Sequence, residues 1–392
     1  MDAVEASDAW RSAESRLRAV PPHALVATAC DLLAGLVGAQ DITLLMADYG
    51  QTVLQPVTDR PRAGPPVPAH EGPLGVAFDG QSPVVEPLGD DSCQVHLPLG
   101  VRGDRLGILT VRLPADLASP ATVLRLHDLA GALAREVTTA DRDTDLFLKA
   151  RRTRRLTLAA EMQWQLLPGH GCARAEYVIG AHLEPAYAVG GDNFDWSADA
   201  DRLVLTLTDG MGQGMGASQL TSLAVGALRN ARRGGVSLAD QAALADQAVY
   251  AQYGGQAYAP TLLLGFDLDT GTVQAVDAGS PQLFLLRGER AERIALDAQL
   301  PLGMFEETAY EAETFQLRPG DRLVVVSTGV HGARSASGEV FGERGLHQVL
   351  GATRAVPPNE AARAVVAGLT GHFGSEELLS DAAVVCLDWK GR

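Results

Sequence analysis

The stretch Val189-Gly190-Gly191-Asp192-Asn193-Phe194-Asp195 is followed by the apolar run Leu203-Val204-Leu205-Thr206-Leu207, and directly after it by Thr208-Asp209-Gly210-Met211-Gly212-Gln213-Gly214. Each flanking segment sets an acidic residue on a glycine-rich corner, the second at the end of a strand. Glycine lets the backbone turn sharply and approach a neighbour closely, and carboxylates are the preferred ligands of hard divalent cations. Taken singly, each acidic corner reads as an Asp capping a turn. Taken together they point to a metal-dependent hydrolase.

Outward from these corners, composition limits the alternatives. A chain of 392 residues predicts two domains. Hydrophobic residues make up 46% and the formal charge is -16, which argues against a nucleic-acid partner because that needs a basic footprint. Cys30, Cys93, Cys172 and Cys386 are scattered without a CxxC pair, so neither a disulfide framework nor a zinc knuckle is expected. The acidic start Met1-Asp2-Ala3-Val4-Glu5 lacks the apolar core of a signal peptide, and no run of 18 uncharged apolar residues offers a membrane span. The expected location is cytoplasmic.

The first region reads as α+β. Leu25, Ala29, Leu32, Leu33 and Leu36 recur at helical spacing up to Gly38. Short strands are predicted at Ile42–Met46, Thr52–Val57, Pro83–Val85, Cys93–Leu99 and Asp104–Val111, with a Pro/Gly-rich loop from Pro61 to Pro68. A second amphipathic helix starts near Pro120 and carries Leu124, Leu129, Leu133 and Val137. Strand 93–99 with its Leu97-Pro98-Leu99, strand Gly107-Ile108-Leu109-Thr110-Val111 and the closing helix resemble a GAF domain over residues 20–140. The resemblance implies a sensor or dimerisation module, with an unknown small effector and a homodimer as possible partners. His96 is read as a structural strand histidine.

Residues 141–168 are read as a helical linker. Asp145 to Leu167 is helix-prone, with a basic run (Lys149, Arg151, Arg152, Arg154, Arg155) taken as a solvated face, and a stripe of Leu156, Ala159, Met162 and Leu166 that fits either core or a coiled-coil seam.

Residues 169–390 carry ordered landmarks. Glu161-Met162-Gln163-Trp164-Gln165-Leu166-Leu167-Pro168 leads in; the two acidic corners follow, then a helix from Ala217 and a predicted hairpin of Thr261–Leu268 with Gly271–Ala278. Pro301-Leu302-Gly303, Pro319-Gly320-Asp321 before an apolar strand, and Phe341-Gly342 complete the series. In this order they resemble the SpoIIE/RsbU-type PP2C (PPM) serine/threonine phosphatases. The resemblance implies an α-β-β-α sandwich of two antiparallel sheets and two Mn²⁺ or Mg²⁺ ions whose bridging water attacks a phosphoserine or phosphothreonine. It assigns metal contacts to Asp209, the Gly210 carbonyl and Asp192. It also implies a phosphorylated regulatory protein as partner, such as a STAS-domain anti-sigma antagonist.

The chain departs from that pattern at the second metal. The family's Thr-Asp-Gly after the PGD strand is here Ser327-Thr328-Gly329, and the Asp-Asp pair before the last strand is Ser380-Asp381. Aligned by the strand, Ser380 takes the ligand position; a shift of one residue makes Asp381 the ligand at the expense of register. Glu311 is a further acid that the fold could bring in. The Asn-Ala-Gly-His turn is altered to Asp277-Ala278-Gly279-Ser280. Water fills coordination positions but supplies no negative charge, so the expectation is a weakened second metal site and reduced phosphatase activity, or a pseudophosphatase that serves as a binding scaffold. A remote alternative is a diguanylate cyclase, because Gly190-Gly191-Asp192-Asn193-Phe194 differs by one letter from GGDEF; it has no place for the later landmarks.

Overall fold

Four of the five residues of the predicted N-terminal stripe, Leu25, Ala29, Leu32 and Leu33, are buried along one helix face. That helix stops where Gly38 takes φ +63° and returns its N–H to Ala34, the left-handed cap that costs glycine little. The computed structural model describes residues 3–58, 64–152, 156–186, 189–335, 337–342, 344–374 and 378–392, without the side chains of 3–7. The chain forms two compact units, Met1–Arg155 and Leu156–Arg392.

The first unit runs α1 (Ala3–Ala19), α2 (Leu25–Val37), β1 (Asp41–Ala47), β2 (Val53–Pro56), β3 (Val67–Pro68), α3 (Gly72–Gly80), β4 (Val84–Pro87), β5 (Ser92–Val101), β6 (Asp104–Pro114), α4 (Pro120–Ala140) and α5 (Leu146–Arg151). Its six strands form one antiparallel sheet in the order β3-β2-β1-β6-β5-β4. Side chains alternate between its faces with period two. Leu44 and Met46 of β1 join the α1, α2 and α4 core, whereas Leu45 and Ala47 pack against Ala77 and Phe78 of α3. The sequence pattern predicts no element over Gly72–Gly80, where α3 forms; burial of Phe78 under the sheet holds it helical. His96 pairs with Glu86 on the neighbouring strand at 3.1 Å. Of the Pro61–Pro68 loop, 61–63 lie outside the described residues and Val67–Pro68 form the short β3.

The single helix expected over 145–167 is instead two. α5 ends at Arg152, whose ψ of 83° leaves the helical range, and Thr157 starts α6 (Leu158–Leu166) by accepting the N–H of Ala160 on its hydroxyl. Arg154 and Arg155 lie outside the described residues. From the predicted stripe, Ala159 and Leu156 pack with Ala160 and Val189, so these positions serve the core of the second unit.

The second unit continues with β7 (Gly171–Ala173), β8 (Tyr177–Glu184), β9 (Asn193–Ala198), β10 (Arg202–Thr208), α7 (Gly214–Arg233), α8 (Leu238–Tyr253), β11 (Thr261–Asp267), β12 (Thr272–Ala278), β13 (Gln282–Arg287), β14 (Arg290–Ile294), β15 (Glu313–Gln316), β16 (Arg322–Val326), α9 (Thr328–His331), α10 (Gly345–Ala352), α11 (Pro358–Phe373) and β17 (Ala382–Trp389). Two antiparallel sheets result, β15-β12-β11-β10-β9 and β14-β13-β16-β17-β8-β7. α7 and α8 cover the first through Val204, Leu263 and Val276; α10 and α11 cover the second through Phe284, Val324, Val384 and Cys386. Alternate residues on the same strands, Leu203, Leu205, Leu207, Leu323 and Val325, are equally buried, so the inner faces form the layer between the sheets. This is the expected α-β-β-α sandwich. Among the described residues no helix is long and apolar enough to cross a membrane.

Two landmark turns are structural. Asp321 of Pro319-Gly320-Asp321 accepts the Arg318 N–H and a two-pronged ion pair from Arg287. The Pro301-Leu302-Gly303 turn is fastened by Asp246 of α8, fully buried, which accepts the Gly303 N–H at 2.7 Å and the Tyr310 hydroxyl at 3.2 Å. Asp246→Ala orphans the Gly303 N–H and leaves the Tyr310 hydroxyl only the Leu300 carbonyl; it is expected to cost about 1–3 kcal/mol in chemical denaturation, with Asp246→Asn, which keeps the acceptor, losing less. Equal stability of the two variants would show that the turn does not depend on this carboxylate.

Candidate metal centre

The acidic corners meet through the Gly210 N–H on Asp192, and the first of them is tied to a buried group. Asp381, immediately before β17, is 1% exposed, and its carboxylate accepts four hydrogen bonds. Oδ1 takes the Ala186 N–H at 2.8 Å; Oδ2 takes Gly191 N–H at 2.8 Å, Asp192 N–H at 3.2 Å and the Gln163 amide at 2.5 Å. Gln163, on α6, also donates to the Asp192 carbonyl at 3.0 Å. From the other side the Thr221 hydroxyl of α7 donates to the Gly191 carbonyl at 2.6 Å. Gly191 itself has φ +90°, and a Cβ at Gly210 would lie 1.8 Å from the Gly190 carbonyl oxygen. The glycines therefore let two backbone corners stack in contact, which brings Asp192 and Asp209 into one place.

Asp192, Asp209, Gly210, Thr328, Ser380 and Arg334 line one cleft of about 390 Å³. Asp192 Oδ1 accepts the Gly210 N–H at 2.9 Å, while Oδ2 is buried with no hydrogen-bond partner. The Ser327 hydroxyl is near enough to ease the Asp192 charge without completing a bond of ordinary geometry. Burial first, then the charges of Asp209 and Asp381, hold the Asp192 carboxyl well above the usual carboxylate range. Asp209 is pushed up to about 7 by burial, against the pull of Thr328.

Thr328, where the resemblance expects an aspartate, makes its contacts with Asp209. At the start of α9, its N–H faces both Asp209 oxygens at 3.2 and 3.3 Å and its hydroxyl donates to Asp209 Oδ2. A second anion there would need a cation between it and Asp209; a hydroxyl bonds the carboxylate directly. Ser380 stands exposed at the cleft wall, and Asp381 lies behind the Gly190–Asp192 corner with its carboxylate occupied by backbone. Glu311 sits on an exposed loop, its N–H on Gln299. Among the described residues no group of three or more His, Cys, Asp and Glu converges as ligands.

Neighbours singled out by motif fall outside the cleft. Asn193 is buried on β9 opposite Thr208, and Asp195 is ion-paired with Arg229 and Arg232 of α7. His331 of α9 reaches the carbonyl of Ser280 in the altered turn, where Asp277 accepts the Gly279 N–H. Gln163 and Ser327 were missed by sequence reasoning; Gln163 had been quoted only as part of a lead-in segment.

The residues fit one divalent cation. The unpartnered Asp192 Oδ2 and the Asp209 carboxylate supply hard oxygen donors and two charges, with the Gly210 carbonyl beside them. Around a second position, Thr328 and Ser380 bring only hydroxyls. Two buried carboxylates this close oppose folding until a cation balances them, so in EDTA Asp209→Asn is expected to stabilise the protein by at least about 1 kcal/mol, roughly 2–4 °C in Tm. In wild type Mn²⁺ should raise Tm, and in Asp209→Asn it should not. A lower Tm for the variant in EDTA would contradict this electrostatic account.

Residues 199–390 match the family described as Stage II sporulation protein E (SpoIIE). Protein IcfG of Synechocystis sp. is 24% identical over 203 residues, 45% of this chain and 32% of the relative, so the chain matches about a third of that protein's length. Among solved structures, the RsbU and RsbW domains of a Mycobacterium tuberculosis protein share 23% identity over 55% of this chain and 60% of that one, with a TM-score of 0.49. The SiaA-PP2C domain of Pseudomonas aeruginosa shares 22% over 54% and 85%, also at 0.49. Over residues 199–390, which hold the Asp209 corner, the second unit of this chain matches the SpoIIE family of PP2C-type phosphatase domains.

Proposed function

We propose that the second unit acts on phosphoserine or phosphothreonine of a regulatory protein as a one-cation variant of a PP2C-type phosphatase, with turnover much below that of a two-metal site. The observation that carries this reading is the Thr328 hydroxyl bonded to Asp209 where the family pattern has a carboxylate. A bound Mn²⁺ or Mg²⁺ would supply polarisation of a phosphoryl oxygen and acidification of a bound water. Asp192 and Asp209 would hold it, and the Asp381–Gln163 frame would keep both aligned. The same constraint favours a second reading, a pseudophosphatase that binds its phosphorylated partner without hydrolysing it. A STAS-type anti-sigma antagonist is the partner class that the family resemblance suggests, and the first unit would be the GAF-like sensor, with a small effector or a homodimer interface as its input.

Calorimetric titration of the full chain with Mn²⁺ should give one ion per chain. Thr328→Asp with Ser380→Asp should bring the second and raise phosphate release from a phosphorylated STAS protein at least about tenfold, equivalent to ~1.4 kcal/mol in the barrier. Two tight ions in wild type, with turnover abolished by Asp209→Asn, would overturn both readings in favour of a complete phosphatase.

A further inference from the structure

We infer that Arg334 is the phosphate-recognising residue of this cleft, and that the ligand it selects is a phosphorylated side chain within an apolar stretch of protein. The inference rests on the one-cation reading above. Arg334 lines the same cleft as Asp192, Asp209 and Thr328. Its position is set by the loop after α9: its backbone bridges Val340 and its Nη1 donates to the Gly338 carbonyl at 3.2 Å. That bond uses one of five guanidinium donors, and among the described residues no carboxylate pairs with it.

Charge decides its role. A single dication held by Asp192 and Asp209 is neutralised by them, so the cation site alone offers a phosphate monoester dianion little net attraction. Arg334 is the cationic side chain that lines the cleft, and a guanidinium meets a phosphate through two parallel N–H donors. It supplies charge at the place where the second cation is not provided for. The cleft wall selects between sources of phosphate. Phe373, Leu378 and Leu379 lie on it, and Leu379 is 78% exposed, an apolar surface that inorganic phosphate does not use. A peptide with a leucine beside its phosphoserine uses both features.

Fluorescence polarisation on the full chain in Mg²⁺, with a labelled peptide carrying phosphoserine next to leucine, tests this directly. Wild type should bind it at least about tenfold tighter than the unphosphorylated peptide, and Arg334→Ala should lose about tenfold or more of that affinity, with Arg334→Lys between them. Unchanged Tm of Arg334→Ala shows that the loss is not unfolding; if its Tm falls, Arg334→Lys and the phosphorylated-to-unphosphorylated affinity ratio decide. Equal affinity of wild type and Arg334→Ala, or no preference for the phosphorylated peptide, overturns the inference. Inorganic phosphate that competes as strongly as unlabelled phosphopeptide overturns the choice of a protein ligand. Mn²⁺ stoichiometry on the same sample separates the two readings: two ions per chain sinks the one-cation reading, while a tenfold loss in Arg334→Ala still supports the role of Arg334.

Discussion

The hydrogen bonds received by the Asp381 carboxylate organise the second unit's site. A buried carboxylate is costly unless its lone pairs are used, and here backbone N–H groups of Ala186, Gly191 and Asp192 together with the Gln163 amide use them. The same contacts close the loop after β8 onto the end of β17 and hold Asp192 in reach of Gly210. Strand β17 pairs with β8 and β16, so the frame is anchored in the centre of a sheet. Asp381 is thus spent on positioning, and among the described residues the carboxylates lining the cleft are Asp192 and Asp209.

That division explains how the departures from the family pattern are accommodated without loss of fold. Thr328 does not leave a hole where a carboxylate would stand; its hydroxyl and N–H satisfy Asp209. Ser380 faces outward and asks nothing of the core. The sandwich layers depend on alternating apolar strands and on the Asp246 and Asp321 turn anchors, none of which involve the metal ligands. The carboxylate that holds the frame, Asp381, is distinct from the two that line the cleft, Asp192 and Asp209, so a change at the cleft leaves the frame intact.

Much of the architecture was legible beforehand. Continuous apolar runs such as Leu203–Leu207 and Val384–Leu387, buried on both faces, the hairpin around Asp269-Thr270-Gly271 and the stripe of α2 carry their burial in their own composition and spacing. What failed were segments whose structure depends on remote packing. α3 is glycine-rich and helical because Phe78 is buried under β1 and β6. The stretch 145–167 looks like one helix by propensity, yet Thr157 caps a new one because Ala159, Gln163 and Trp164 are claimed by the second unit's core.

By itself the sequence determined the α+β class, the strands and the glycine-rich acidic corners, since these follow from local spacing and from glycine's tolerance of tight turns; the two-sheet sandwich and the pairing of Asp192 with Asp209 came from the family resemblance. Set against that resemblance, Thr328 and Ser380 are the positions where hydroxyls stand in place of the carboxylates expected there. Only the tertiary structure decided what Asp381 does. One residue of register separates a ligand from a buttress, and which it is depends on backbone donors from residues 186–192 and a glutamine on α6, roughly two hundred residues away along the chain. The tertiary structure also placed Arg334 beside the two aspartates, a proximity created by the turn after α9 and carried by no spacing in the sequence.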